Sequence, residues 1–354
     1  MGISPSKDTI RSLASIQEIT KIEDINNSTN LAVAQVLGWQ VVIKRNEFQV
    51  GQKIVYFEID SILPAADWSD FMKGRKYRVK TVQLRGEISQ GLIMPLTILG
   101  KNAKESDFEI GKDLTDILNV KKFEEEEIED EDLVNENTMK SSDGKSLAFP
   151  NNFIAKTDEP RIQSFPKYLD KFQGKPYYAT IKYDGTSATY ILDPKDLNEF
   201  YVCSRKNRRF GDNVYSKAAF KYKIEEKLKE EKGRYAIQCE IYGPKIQKNY
   251  LCMKKITIAV FTIKDLFEDK YLDLEEMIAI CKKMDLPMVE IIEKGDAFTY
   301  NLQDLKEKSK GSYPNSKFHR EGLVFRLQKD WHKNARNSFK IINDDFLLMG
   351  KQKI

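Results

Sequence analysis

Tyr177-Tyr-Ala-Thr-Ile-Lys182-Tyr-Asp184-Gly185 is the stretch on which the reading of this chain turns. Aromatic and β-branched residues run into a lysine, and two positions later a carboxylate stands beside a glycine, so the run reads as a strand that ends at a turn. A lysine attacks phosphorus only as the neutral amine. With an ordinary pKa near ~10.4, on the order of one molecule in a thousand is neutral at pH 7.4. Lowering that pKa by about 3 units takes roughly 4 kcal/mol of differential interaction, which a bound metal cation helps to supply. Asp184 is a natural outer contact for such a cation.

Further chemistry follows in order along the chain. Ser204-Arg205 lies about twenty residues on, then come Glu240-Ile-Tyr-Gly243, Ala259-Val-Phe261 with Asp265, Arg320-Glu321-Gly322-Leu-Val-Phe-Arg326 and Ser338-Phe-Lys340. This ordered series resembles the covalent nucleotidyltransferase superfamily of polynucleotide ligases and RNA capping enzymes, with its motifs I, Ia, III, IIIa, IV and V. Within it the chain looks most like the ATP-dependent RNA ligases that carry an OB module ahead of the catalytic domain and seal 3′-hydroxyl/5′-phosphate nicks. Lys156-Thr-Asp-Glu-Pro-Arg161-Ile-Gln163 and Asp344-Asp-Phe-Leu-Leu348 add to that narrower match.

The resemblance implies an ATP-grasp-like catalytic domain of antiparallel sheets plus helices. It implies that Lys182 is the AMP-accepting nucleophile and that Asp184, Glu240 and Glu321 hold a hydrated Mg²⁺ or Mn²⁺ against the α-phosphate, as oxygen ligands suit a hard cation. Gly185 belongs to the nucleotide-binding turn. Arg205 contacts the ribose or the nick phosphate, and Phe261 stacks on adenine. Lys340 neutralises charge on the α-phosphate, and Arg161 contacts the nucleotide phosphates. Related ligases often show two lysines separated by one residue in the last motif. Here Ile341 and Ile342 follow Lys340, so the second role is either vacant or supplied by Arg336 or Lys333.

The rest of the chain fits two domains. It has 354 residues, enough for two cores, with 41% hydrophobic and 32% charged residues. Residues 1–120 read as an OB-type β-barrel. Its short runs are Leu31–Leu37, Gln40–Lys44, Lys53–Ile59, Tyr77–Leu84 and Gly91–Leu96. Trp39 and Trp68 are expected to pack. Residues 121–152 form an acidic linker, since nine acids and no base lie between Glu124 and Glu136. The catalytic domain, 153–354, is α+β with mainly antiparallel sheets. Strands are expected at Tyr177–Ile181, Ser187–Leu192, Tyr235–Ile241, Ile256–Ile263 and Gly322–Arg326, and helices at Lys217–Lys232 and Asp273–Met284.

The net charge is +4, but the acidic segment hides +13 on the remainder, concentrated as +8 over Tyr201–Lys254 and +7 over Lys306–Ile354. Such a face attracts a polyanion. Four cysteines without a CxxC pair and two histidines argue for a reducing compartment and against a histidine-rich metal site. No apolar run reaches the roughly 18 residues a membrane span needs. The expectation is therefore a cytoplasmic, monomeric ligase acting on RNA with 3′-OH and 5′-phosphate ends in a nicked duplex, without membrane contact. The alternatives are a DNA ligase of the same superfamily or a noncatalytic nucleic-acid-binding protein on a ligase scaffold. A capping enzyme is disfavoured because its OB domain follows the catalytic one.

Overall fold

The structure is a computed structural model that describes residues 11–26, 28–100, 104–123, 148–157, 159–329 and 337–349. Most of the acidic segment, with Lys333 and Arg336, lies outside them. The chain divides into two compact units. One holds most of the first 127 residues together with 160–168 and the segment from Leu347, and the other holds the remainder up to Phe346. This division differs from the expected boundary at 153, because the segment containing Arg161 groups with the N-terminal unit.

Among the described residues the N-terminal unit is a small β structure of ten short strands, several of them too short to show in the alternating runs. They are β1 (Ala14–Glu18), β2 (Lys21–Asp24), β3 (Leu31–Val36), β4 (Trp39–Lys44), β5 (Lys53–Phe57), β6 (Ser61–Ile62), β7 (Val82–Leu84), β8 (Glu87–Ser89), β9 (Leu92–Met94) and β10 (Lys121–Lys122). The antiparallel orders are β1-β5-β9 and β2-β3-β4. Strand β5 is buried on both faces. Ile54 and Tyr56 point into one cluster around Trp39, while Val55 and Phe57 point into another around Ile16 and Leu96. Trp39 is fully buried and Trp68 stacks on Phe57 at 5.5 Å, so both tryptophans pack. The expected strand Tyr77–Leu84 shrinks to its last three residues. Lys76 and Tyr77 both take left-handed backbone conformations, which a continuous strand excludes.

The catalytic unit is built on two antiparallel sheets. Its strands are β11 (Tyr177–Lys182), β12 (Thr186–Asp193), β13 (Asp196–Cys203), β14 (Tyr235–Tyr242), β15 (Thr257–Asp265), β16 (Lys270–Tyr271), β17 (Ile291–Gly295), β18 (Gly322–Leu327) and β19 (Ser338–Ile342). The sheet orders are β17-β11-β18-β19 and β13-β12-β14-β15-β16. Its helices include α1 (Val214–Lys221), α2 (Ile224–Glu230), α3 (Leu274–Lys283) and α4 (Leu302–Ser309). The single helix expected over Lys217–Lys232 is two, because Lys223 adopts φ 51° and breaks the run.

Strand alternation decides what each sheet presents. On the four-stranded sheet Tyr177, Phe325 and Phe339 join Phe172 and Phe298 in a packed aromatic core, with ring centroids 4.7 to 6.2 Å apart. The opposite face therefore carries Lys182, Arg326 and Lys340. On the five-stranded sheet Ile237, Cys239 and Ile241 are buried in the cluster that also holds residues of all of α1, α2 and α3. This leaves Gln238 and Glu240 on the other face.

Candidate active site

Lys182 is the last residue of β11 and pairs in register with Gly322, the first residue of β18. That register sets Glu321 beside the amine, and Lys182 Nζ donates to Glu321 Oε2 at 2.5 Å. Gly322 has to be a glycine. A Cβ there would stand 2.1 Å from the Ile341 carbonyl oxygen, at a backbone φ of 154°. Glu240 comes from β14, opposite Ser187 of β12. A Cβ on Gly185 would lie 2.3 Å from the Ile241 carbonyl and 3.0 Å from Glu240 Cγ. The glycine thus lets the turn that carries Asp184 rest directly on Glu240.

Tyr313 closes this turn from beneath, and sequence reasoning missed it. Its side chain is buried, and its hydroxyl accepts the backbone N–H of Asp184 at 3.0 Å and that of Glu321 at 3.1 Å. The same hydroxyl donates to the Lys182 carbonyl at 3.2 Å. One phenol thereby ties together the main chain at the nucleophile and at two of the carboxylates. Tyr313 lies in an irregular stretch with no motif spacing, so only the folded chain reveals it.

The electrostatics follow from burial. Glu240 is pushed up to about 8, chiefly by loss of solvent. Lys182 pulls the other way, while Glu321 and Asp184 add to the rise. At Lys182 burial opposes the charge, but Glu321 above all, then Glu240 and Asp184, more than offset it, and the amine sits above its ordinary value. The carboxylates alone therefore hold Lys182 as an ammonium. This is the reverse of what attack on phosphorus requires.

Among the described residues no three His, Cys, Asp or Glu side chains form a ready metal cage. The donor set does fit a hydrated cation. It is all oxygen, and it places three carboxyl groups around one ammonium, with burial holding the Glu240 carboxyl up at about 8. Asp184, Glu240 and Glu321 would hold the ion largely through retained water.

The other expected residues divide by position. Lys340 pairs with Val324 one strand over and shares the face that carries Lys182. Phe261 falls where the β14–β15 register slips between Gln238 and Cys239, a bulge that re-aims its ring. The ring is half-buried with the Arg326 guanidinium 5.6 Å from its centroid, and Arg326 donates to Glu159 at 2.8 Å. Arg205 is exposed in the turn after β13. Arg161 lies in the N-terminal unit, where it donates to Asp60 at 3.3 Å. Its other terminal nitrogen is buried without a partner among the described residues. Cys203 and Cys239 are buried as small hydrophobes.

A lysine at a strand end, held among three carboxyl groups on facing sheets, defines a covalent nucleotidyltransferase. Residues 175–342 match the RNA ligase family model and residues 13–96 an OB-fold domain model. The catalytic unit thus carries the RNA ligase family match and the N-terminal unit the OB-fold match. It is similar to Naegleria gruberi RNA ligase in several solved forms. An apo point mutant matches at 27% identity and TM-score 0.82, over 98% of this chain and 100% of that one. The form with PPi matches at 28% identity and 0.81, over 97% and 100%. A mutant with ATP and Mn matches at 27% and 0.81, over 96% and 100%. No curated protein matches the chain.

Proposed function

We propose that this protein is an ATP-dependent RNA ligase of the 3′-OH/5′-phosphate type, acting through a covalent lysyl-AMP at Lys182. The observation that carries the reading is the convergence of Lys182 with Glu321, Glu240 and Asp184 at one turn. ATP as substrate and a divalent metal as cofactor are supported by the Naegleria ligase forms with ATP and Mn.

The chain's own groups account for the steps. Lys182 loses a proton and forms a P–N bond to the α-phosphate of ATP, while the P–O bond to pyrophosphate breaks and pyrophosphate leaves. A bound cation supplies charge that competes with the ammonium for the carboxylates and offsets the negative charge developing on the phosphate oxygens. Lys340, on the same face, neutralises the α-phosphate, and Phe261 stacks on the base with Arg326 behind it. The 5′-phosphate of RNA then takes AMP from Lys182. The 3′-hydroxyl next attacks the activated phosphorus and expels AMP. Arg205 contacts the ribose or the nick phosphate, and Arg161 contacts the nucleotide phosphates.

The substrate is read as a nicked RNA duplex, met by a monomer in the cytoplasm. No helix among the described residues is long and apolar enough to cross a membrane. The test is transfer of 32P from ATP labelled at the α position, in wild type and Lys182→Ala, followed by sealing of nicks with RNA or DNA at the 3′-OH side. Label on wild type alone, with sealing of RNA-containing nicks, is the expected result. Equal labelling of the variant would sink the assignment of Lys182, and better sealing of all-DNA nicks would turn the reading to a DNA ligase.

A further inference from the structure

We propose that the groove between the α1–α2 corner and the end of α3 is a track for the phosphodiester backbone of the RNA substrate. This rests on the ligase reading above. The groove encloses about 910 Å³ and is lined by Lys221, Lys223, Lys227 and Lys282, with Asp285 as its one acid and Thr257 in its wall. None of the four lysines forms an ion pair with a described carboxylate. Lys221 Nζ donates to the Ile256 carbonyl at 2.5 Å and Lys227 Nζ to the Asp285 carbonyl at 3.0 Å, neutral acceptors that leave the charge uncompensated. Neighbouring Lys229 and Lys283, by contrast, are paired with Glu225 and Glu231.

Helix stability explains only part of this arrangement. Lys221, Lys227 and Lys282 stand in last turns, where a cation complements the helix dipole. Lys223 caps the start of α2, where a cation opposes it. Lys223 also occupies a left-handed position at φ 51°, which glycine or asparagine fills more cheaply. A polyanion in the groove would repay both costs. Phe220, adjacent to Lys221, is 84% exposed, a flat apolar surface of the kind on which a base stacks.

The helices that form the groove cover the face of the five-stranded sheet opposite Glu240, and Thr257 in its wall pairs in register with Tyr242, two residues past Glu240.

The experiment compares wild type, the double variant Lys223→Glu/Lys282→Glu, and Phe220→Ser. Label transfer from ATP is measured without RNA, and binding of a fluorescein-labelled nicked RNA duplex is measured by anisotropy between roughly 50 and 200 mM salt. The expected result is label transfer within twofold of wild type in all three. RNA affinity should fall about tenfold or more in the double variant, with a log–log salt slope shallower by about 2, since each phosphate contact contributes roughly 0.9. Phe220→Ser should weaken binding about fivefold or more and leave the slope unchanged. A double variant that labels normally and keeps both affinity and slope overturns the groove while the ligase reading stands. A wild type that takes no label and binds no RNA overturns both.

Discussion

Lys182 Nζ lies 2.5 Å from Glu321 Oε2, so the amine proposed to attack phosphorus is bound to a carboxylate proposed to hold the metal. The two residues come from neighbouring strands whose register is fixed by the close approach allowed at Gly322. Their pairing favours the ammonium form of Lys182.

Glu321→Gln removes the strongest influence holding the proton on Lys182. In metal-free protein the titration midpoint of the Lys182 amine, followed by 15N NMR, should fall by about a unit or more. Label transfer from ATP with metal should nevertheless drop about 100-fold or more, because the anionic carboxylate proposed to hold the cation has been replaced by a neutral amide. An unmoved midpoint would show that the ion pair does not control the proton.

Glu240 makes stability depend on pH. Its carboxyl is raised to about 8 in the folded chain against an ordinary 4.5, so between those values the folded protein holds a proton that the unfolded chain has released. Stability from this group is complete below about 4.5 and is lost as pH rises through about 8. Lys182, raised above 10.5, contributes no slope in this window. Glu240→Gln should therefore raise Tm relative to wild type more at pH 8.5 than at pH 5 in metal-free buffer. A constant difference across that range would contradict the assignment.

Tyr313→Phe deletes one oxygen and leaves three backbone groups without their partner. An unsatisfied buried group costs about 1–3 kcal/mol. These groups are only partly buried, so a loss near ~2 kcal/mol is expected in denaturant unfolding. The turn would also loosen, and label transfer should fall roughly tenfold even well below Tm. Loss of stability with full activity would make Tyr313 a packing residue only.

Phe261→Ala tests stacking on adenine. The ring lies at a bulge and is half-buried, so its removal should raise KM for ATP about tenfold with little change in kcat, while Phe261→Tyr should restore binding. A fall in kcat at constant KM would instead place the ring in the core.

Much of the catalytic unit was legible because its chemistry is local or ordered. Lys182, Asp184 and Gly185 share one turn, and the strands on which Glu240 and Glu321 depend are marked by apolar alternation. The two-helix break at Lys223 and the turn at Lys76-Tyr77 were not legible, since a left-handed backbone at a non-glycine residue leaves no trace in composition. The loss of the Tyr77–Leu84 strand has the same cause.

The sequence by itself determined the order of elements, the candidate nucleophile and the reserve of basic charge, all properties of residue type and spacing along the chain. Only the tertiary structure decided that Glu321 grips the amine, that Tyr313 anchors the turn, and that the lysines of α1, α2 and α3 line one groove. These depend on register between strands distant in sequence and on burial, which changes the balance between desolvation and Coulomb attraction at each charge.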